Sequence, residues 1–181
     1  MEFLAGRQCA RSAMRACAPD HAGAPIAIGP SREPLWPSGV VGSITHVRGF
    51  ASAAVARRSD AGGIGLDVEL IMADALAADV LPSIATPAEV AAIVGATGWS
   101  TARALTVVFS AKETIFKCLH SQVGRYFDFL DASIVDVDPA SGRFRARLVA
   151  TLTPALPAGH QLDGRFEDDQ HRVVTAMLLP P

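Results

Sequence analysis

Between residues 143 and 152 apolar and polar side chains alternate. Phe144, Ala146, Leu148, Ala150 and Leu152 fall on one side, and Arg143, Arg145, Arg147 and Thr151 on the other. A period of two belongs to a β-strand, and this division of faces means a sheet wet on one side and covered on the other. The chain must therefore supply a cover. It does so at 101–119, where Ala104, Val108, Ala111, Ile115 and Leu119 form one apolar stripe at helical spacing.

The remaining patterns repeat this pairing of helix and strands. Residues 2–17 read as an amphipathic helix, with Ala10, Ala13, Met14 and Cys17 at helical spacing and Arg7, Arg11 and Arg15 in a neighbouring stripe. Residues 19–39 are rich in Pro, Gly and Ser and read mostly as loop. Strand-like runs follow at 40–47, 50–57 and 63–70, and later at about 130–138, 143–152, 160–167 and 171–179. Thr86-Pro87-Ala88-Glu89 is a capping-box pattern that starts a short helix. The expected fold is α+β, with two similar halves of small antiparallel sheet packed with a long helix, 1–97 and 98–181. Gly95-Ala96-Thr97-Gly98 marks the boundary.

Bulk properties exclude several classes. A length of 181 residues allows a sizeable core, and half the residues are apolar, unlike a disordered chain. A net charge of −2 gives no basic field for nucleic acid. No apolar run approaches the ~18 residues a bilayer span needs, and Arg7, Arg11 and Arg15 interrupt any signal-peptide core. Cys9, Cys17 and Cys118 show no metal spacing and read as reduced thiols of a cytoplasmic protein.

Asp67 and Glu69, two apart on the 63–70 strand, project from one face. They read either as a solvated strand face or as two hard oxygen ligands for Mg²⁺. Ile64, Leu66, Val68 and Leu70 occupy the alternate positions, and Gly65 is expected to leave open space for a ligand. Glu113 and Lys117 share a face of the long helix. As an isolated pair they are the common surface salt bridge. Beside the strand, Glu113 becomes a third carboxylate and a candidate general base, and Lys117 a neutraliser of phosphate. Ser43, Thr45 and His46 make a small, hydroxyl-rich strand end suited to phosphate. Arg32, ahead of the rigid Pro34-Leu35-Trp36-Pro37 loop, can grip phosphate in bidentate fashion.

In order along the chain, Arg32 to His46 (REPLWPSGVVGSITH), Ile64 to Glu69 (IGLDVE) and Phe109 to Lys117 (FSAKETIFK) resemble the phosphopantetheinyl transferases. The closer likeness is to the monomeric branch that serves siderophore and other nonribosomal peptide or polyketide synthases. Residues Glu2 to Arg11 are similar to that branch's early helix motif, and Phe127-Asp128-Phe129 to the segment after its catalytic helix. The resemblance covers nearly the whole chain, although relatives carry a further stretch ahead of the early helix.

The resemblance implies a pseudo-twofold fold with the nucleotide at the junction of the halves. It implies Mg²⁺, or Mn²⁺ on the same ligands, at Asp67, Glu69 and Glu113, with Glu113 also the base. Lys117 and His46 would contact the phosphates of coenzyme A as co-substrate. Arg7 and Arg32 would bind its nucleotide end, with Ser43, Thr45 and Lys112 as further contacts. The partner would be an apo acyl, peptidyl or aryl carrier protein, received by an apolar surface around Leu119, Val123, Tyr126 and Phe127. The rival readings are an Mg²⁺-dependent pyrophosphate hydrolase and a non-catalytic remnant that binds coenzyme A or the carrier.

Overall fold

The structure is a computed structural model that describes residues 2–30 and 32–181. Helix α1 (Glu2–Cys17) buries Gly6, Ala10 and Met14, which recur every fourth residue on one face. That face lies on a hairpin (after a short pair, β1, Ala27–Ile28, and β2, Pro34–Leu35) made of β3 (Val40–Val47) and β4 (Phe50–Arg57). Gly49, at φ 81°, closes the hairpin turn in a conformation that disfavours other residues.

The second unit is a five-stranded antiparallel sheet in the order β5-β9-β8-β7-β6. Its strands are β5 (Gly63–Leu70), β6 (Ala132–Asp138), β7 (Arg143–Leu148), β8 (Gln161–Asp168) and β9 (Arg172–Leu179). Helices α2 (Asp74–Ile84), α3 (Pro87–Thr97) and α4 (Thr101–Val123) stand between β5 and β6 in sequence. Ser100 caps α4 through the Arg103 amide, and left-handed Gly124 ends it. The expected stripe Ala104, Val108, Ala111, Ile115 and Leu119 is fully buried, and it packs with Phe144, Ala146 and Leu148 of β7 in one core. Among the described residues no single helix is long and apolar enough to cross a membrane.

The architecture is α+β, with a long helix on an antiparallel sheet in each part. Three details depart from the sequence reading. Strand 63–70 does not join the hairpin's ladder; it pairs along its whole length with β9, so the 97/98 division is bridged by that ladder. On its other side β5 meets side chains. Ser43 Oγ accepts from Leu66 N at 3.0 Å and donates to Leu66 O at 3.3 Å, and Thr45 Oγ1 accepts from Val68 N at 3.0 Å. Hydroxyls thus stand in for a backbone ladder between the two units. The strand expected over 143–152 stops at Leu148, which donates to His160 O and accepts from Gly159 N, and the chain then turns away, with Val149 N and Ala150 N donating to Asp131 O. Helix α2 was not foreseen, because Ala73 offers no capping side chain and Pro82 lies inside it.

Glycines set how closely α4 approaches β5. A Cβ on Gly65 would stand 2.0 Å from the Thr114 carbonyl oxygen, and one on Gly63 2.5 Å from that of Cys118. Gly65 therefore admits a helix backbone rather than leaving open space for a ligand. Gly65→Ala should cost about 2–3 kcal/mol in urea unfolding, because helix backbone must move. Gly95→Ala in α3, where nothing lies within 4 Å, should stabilise by roughly 0.5–1 kcal/mol.

Candidate active site

The contact between α4 and β5 brings Asp67 against one face of the helix. Asp67 is 2% exposed. Its Oδ1 accepts from Lys117 Nζ at 2.6 Å and Thr45 Oγ1 at 3.3 Å, and its Oδ2 from Ser110 Oγ at 2.9 Å. Ser110, Thr114 and Lys117 follow at spacings of four and three, so one helix face carries them all to the strand.

Glu69 and Glu113 are half-buried near Asp67. Burial, and then the charge of Asp67, pushes the Glu69 carboxyl up to about 7, against the opposing pull of Lys117. Burial also raises Glu113, again with Lys117 opposing and Asp67 adding to the shift. Three mutually repelling carboxylates thus share one nearby ammonium. Among the described residues, no three His, Cys, Asp or Glu side chains converge closely enough to grip an ion as they stand. The donor chemistry of the trio nevertheless fits a hard divalent cation, which would relieve their repulsion.

A cavity of about 770 Å³ opens beside this cluster, between the 32–44 segment and α4. Arg32, Trp36, Ile44 and Arg58 line one wall, and Glu113, Phe116, Lys117 and His120 the other. Arg32 lies at φ 67°, a left-handed backbone that is uncommon outside glycine. A second, mainly apolar recess of about 620 Å³ flanks Glu69, with Leu70, Met72, Leu76, Phe109 and Phe129 in its wall.

The other expected residues lie elsewhere or are otherwise engaged. Ser43 also lines the cavity, but it and Thr45 use their hydroxyls to join β3 to β5. His46 is exposed, edge-on to Phe3 at 6.5 Å, and is not among the residues lining the cavity. The Arg7 guanidinium donates to the Ile26 and Ala27 carbonyls, at 2.8 and 3.2 Å, and lies over the Phe3 ring.

Lys112 is a correction. Its neighbour Glu113 turns toward the cavity, but one residue of helix rotates a side chain by about 100°. Lys112 is buried instead, 3.1 Å from the Glu89 carboxylate and 2.9 Å from the Ile84 carbonyl oxygen. Glu89 also accepts from Ile134 N at 2.7 Å. Its side chain is therefore committed to this cluster, although Thr86 still caps the Glu89 amide. The expected carrier surface is corrected as well. Leu119 is fully buried and Phe127 is 5% exposed, leaving Tyr126 as its openly exposed member.

Ser110, Thr114, Thr175, Arg58 and His120 were given no role by the sequence reading, and Glu89 only that of a helix cap. A signal for the first two was present, since two hydroxyl residues four apart in a buried helix face need partners. Thr175 carried no local signal, because only the β5–β9 register sets it opposite Asp67.

Comparisons with known proteins identify the family. Residues 1–56 match the 4'-phosphopantetheinyl transferase N-terminal domain, and residues 63–175 match the 4'-phosphopantetheinyl transferase superfamily. The gap between the matches falls at the link from β4 to β5. The chain is 38% identical to the 4'-phosphopantetheinyl transferase Svp of Streptomyces mobaraensis, over 98% of this chain and 71% of that protein. It is 35% identical to the 4'-phosphopantetheinyl transferase PptT of Mycobacterium tuberculosis, over 98% of this chain and 78% of that one. It is 38% identical to enterobactin synthase component D of Escherichia coli K12, over 74% of this chain and 60% of that protein.

Two measurements check the electrostatics. Glu69 binds its proton more tightly in the folded protein than at the ordinary value of 4.5. That stabilisation is complete below about pH 4.5 and is lost as pH rises through about 7. After allowance for solvent screening, Glu69→Gln should be about 1 kcal/mol more stable than wild type at pH 8 in the metal-free protein, with the difference vanishing near pH 4.5. Lys112→Met should cost about 3 kcal/mol in urea unfolding by leaving Glu89 buried and unpaired.

Proposed function

This chain belongs to the 4'-phosphopantetheinyl transferase superfamily, and from that premise we propose that it moves the phosphopantetheine arm of coenzyme A onto a serine of an apo carrier protein, using Asp67, Glu69 and Glu113 to hold a divalent cation. The observation that carries the reading is that these three carboxylates lie within electrostatic reach of one another and of Lys117, beside a cavity lined by further basic groups. Mg²⁺ suits such hard oxygen donors, and Mn²⁺ takes the same set. The bound ion supplies positive charge that draws electron density from the pyrophosphate.

The protein's own groups position and neutralise, as phosphoryl transfer requires. Glu113, whose affinity for protons is raised by burial, is the base for the acceptor serine hydroxyl. The serine oxygen forms a bond to the β-phosphorus of coenzyme A. The bond from that phosphorus to the bridging oxygen breaks, and adenosine 3',5'-bisphosphate leaves. Lys117, anchored on Asp67 at 2.6 Å, faces the negative charge of the phosphates, and Arg32 and Arg58 meet the nucleotide end from the opposite wall. In this reading His46 and Arg7 are outer contacts, and Ser43 and Thr45 keep the two units in register.

The acceptor we favour is a carrier of a siderophore or nonribosomal peptide synthase, as the name of enterobactin synthase component D suggests. We take the protein to act as a cytoplasmic monomer, with Cys9, Cys17 and Cys118 unpaired.

Incubating a panel of apo carriers with coenzyme A, Mg²⁺ and the protein should add about 340 Da to an acceptor serine, the mass expected of this transfer. Release of free phosphopantetheine without carrier modification would instead indicate hydrolysis. Asp67→Ala should abolish transfer and Mg²⁺ binding. Glu113→Gln should retain the fold but less than about a tenth of the rate, since an amide cannot take the serine proton.

A further inference from the structure

Thr175 lies on β9 directly opposite Asp67 of β5, on the buried side of the sheet. In the sequence it is only one position of the 171–179 strand run, with no chemical role assigned. Three short contacts nevertheless connect its hydroxyl to both α4 and Asp67. Thr114 Oγ1 lies 2.7 Å from Thr175 Oγ1, Thr175 Oγ1 lies 2.9 Å from Ser110 Oγ, and Ser110 Oγ lies 2.9 Å from Asp67 Oδ2. Ser110, Thr114 and Thr175 are all fully buried.

Counting protons gives this chain a direction. Each hydroxyl has one proton to donate, and an ionised carboxylate has none. Ser110 must therefore donate to Asp67. The Ser110–Thr175 contact then needs the Thr175 proton, and the Thr114–Thr175 contact needs the Thr114 proton. Two carbonyls compete for the same protons. Ser110 O lies 2.9 Å from Thr175 Oγ1, and Thr175 O lies 3.2 Å from Thr114 Oγ1. The charge on Asp67 favours the relay over these carbonyls, because each hydrogen bond in the line polarises the next.

We propose that Thr175 is a positioning residue for the transfer reaction: it completes a one-way hydroxyl relay, Thr114 to Thr175 to Ser110 to Asp67, that holds the Asp67 carboxylate in its ligating orientation. The inference rests on the assignment of Asp67 as a cation ligand. Lys117 and Thr45 engage Oδ1 while the relay engages Oδ2, so both oxygens are held and the carboxylate cannot rotate. Partners that orient a ligand in this way govern metal affinity as well as turnover.

The test is Mn²⁺ affinity of the folded protein, read by electron paramagnetic resonance, together with the thermal midpoint. Thr175→Val keeps the side-chain shape without the hydroxyl and should weaken Mn²⁺ binding about tenfold. Thr175→Ser should bring it back to within about twofold of wild type. Thr106→Val is the control. Thr106 is an equally buried α4 hydroxyl, but it bonds to Ala102 O and Met72 N and does not reach Asp67. It should lower the midpoint while leaving Mn²⁺ affinity unchanged. Should Thr175→Val fail to fold, Thr114→Val probes the relay one link further out, with an expected loss of about threefold.

Wild-type affinity in Thr175→Val, or in Thr114→Val where only that variant folds, would overturn the relay. So would an equal loss of affinity in Thr106→Val. Wild-type protein that binds no Mn²⁺ would instead overturn the ligand assignment itself, and the inference with it.

Discussion

The arrangement depends on how closely α4 lies against β5. Gly63 and Gly65 present bare backbone to the helix, and a single Cβ at Gly65 would meet the Thr114 carbonyl at 2.0 Å. At that distance the polar side chains of α4 reach across to the strand. Ser110 and Lys117 then grip opposite oxygens of Asp67, and Glu113 is brought within electrostatic reach of Asp67. Packing density and chemistry therefore have one cause here. A helix held off by a methyl group would have neither the same core nor the same carboxylate cluster.

Charge is handled differently on the two sides of α4. Lys112 and Glu89 form a closed, buried pair whose remaining hydrogen-bonding capacity is met by Ile84 O and Ile134 N, tying α4 to the end of α2, the start of α3 and β6. Such a pair adds little net stability relative to apolar packing, but breaking it is costly. On the cavity side the carboxylates outnumber their nearby ammonium, and two of them hold protons more tightly than usual. That imbalance is what a phosphoryl-transfer site needs if it is to receive a cation and a base together.

The two units meet through Ser43 and Thr45, whose hydroxyls take the place of a backbone ladder along β5. These residues had the marks of phosphate ligands, being small, hydroxylated and at a strand end. Their hydroxyls join the units, and Ser43 also stands in the cavity's wall. Similarly, Lys112 lies beside Glu113 in sequence but faces a different neighbour, because a helix rotates successive side chains by about 100°.

Periodicity made most of the elements legible: the α4 stripe, the alternation of β7, the spacing of Asp67 and Glu69, and the α1 face all follow from repeats of 3.6 and two. The order of motifs likewise identified the family before any geometry was known. What the chain could not show locally was every decision made by residues distant in sequence. The β5–β9 register places Thr175 opposite Asp67 across more than a hundred residues. The fit of Gly65 under α4 turned an expected opening into a contact, and burial took Phe127 from the expected surface into the core. Sequence alone thus determined which faces are apolar and which residues carry charge, since those are properties of short repeats. Only the tertiary structure decided which charges meet, because distances between side chains are set by the packing of whole elements.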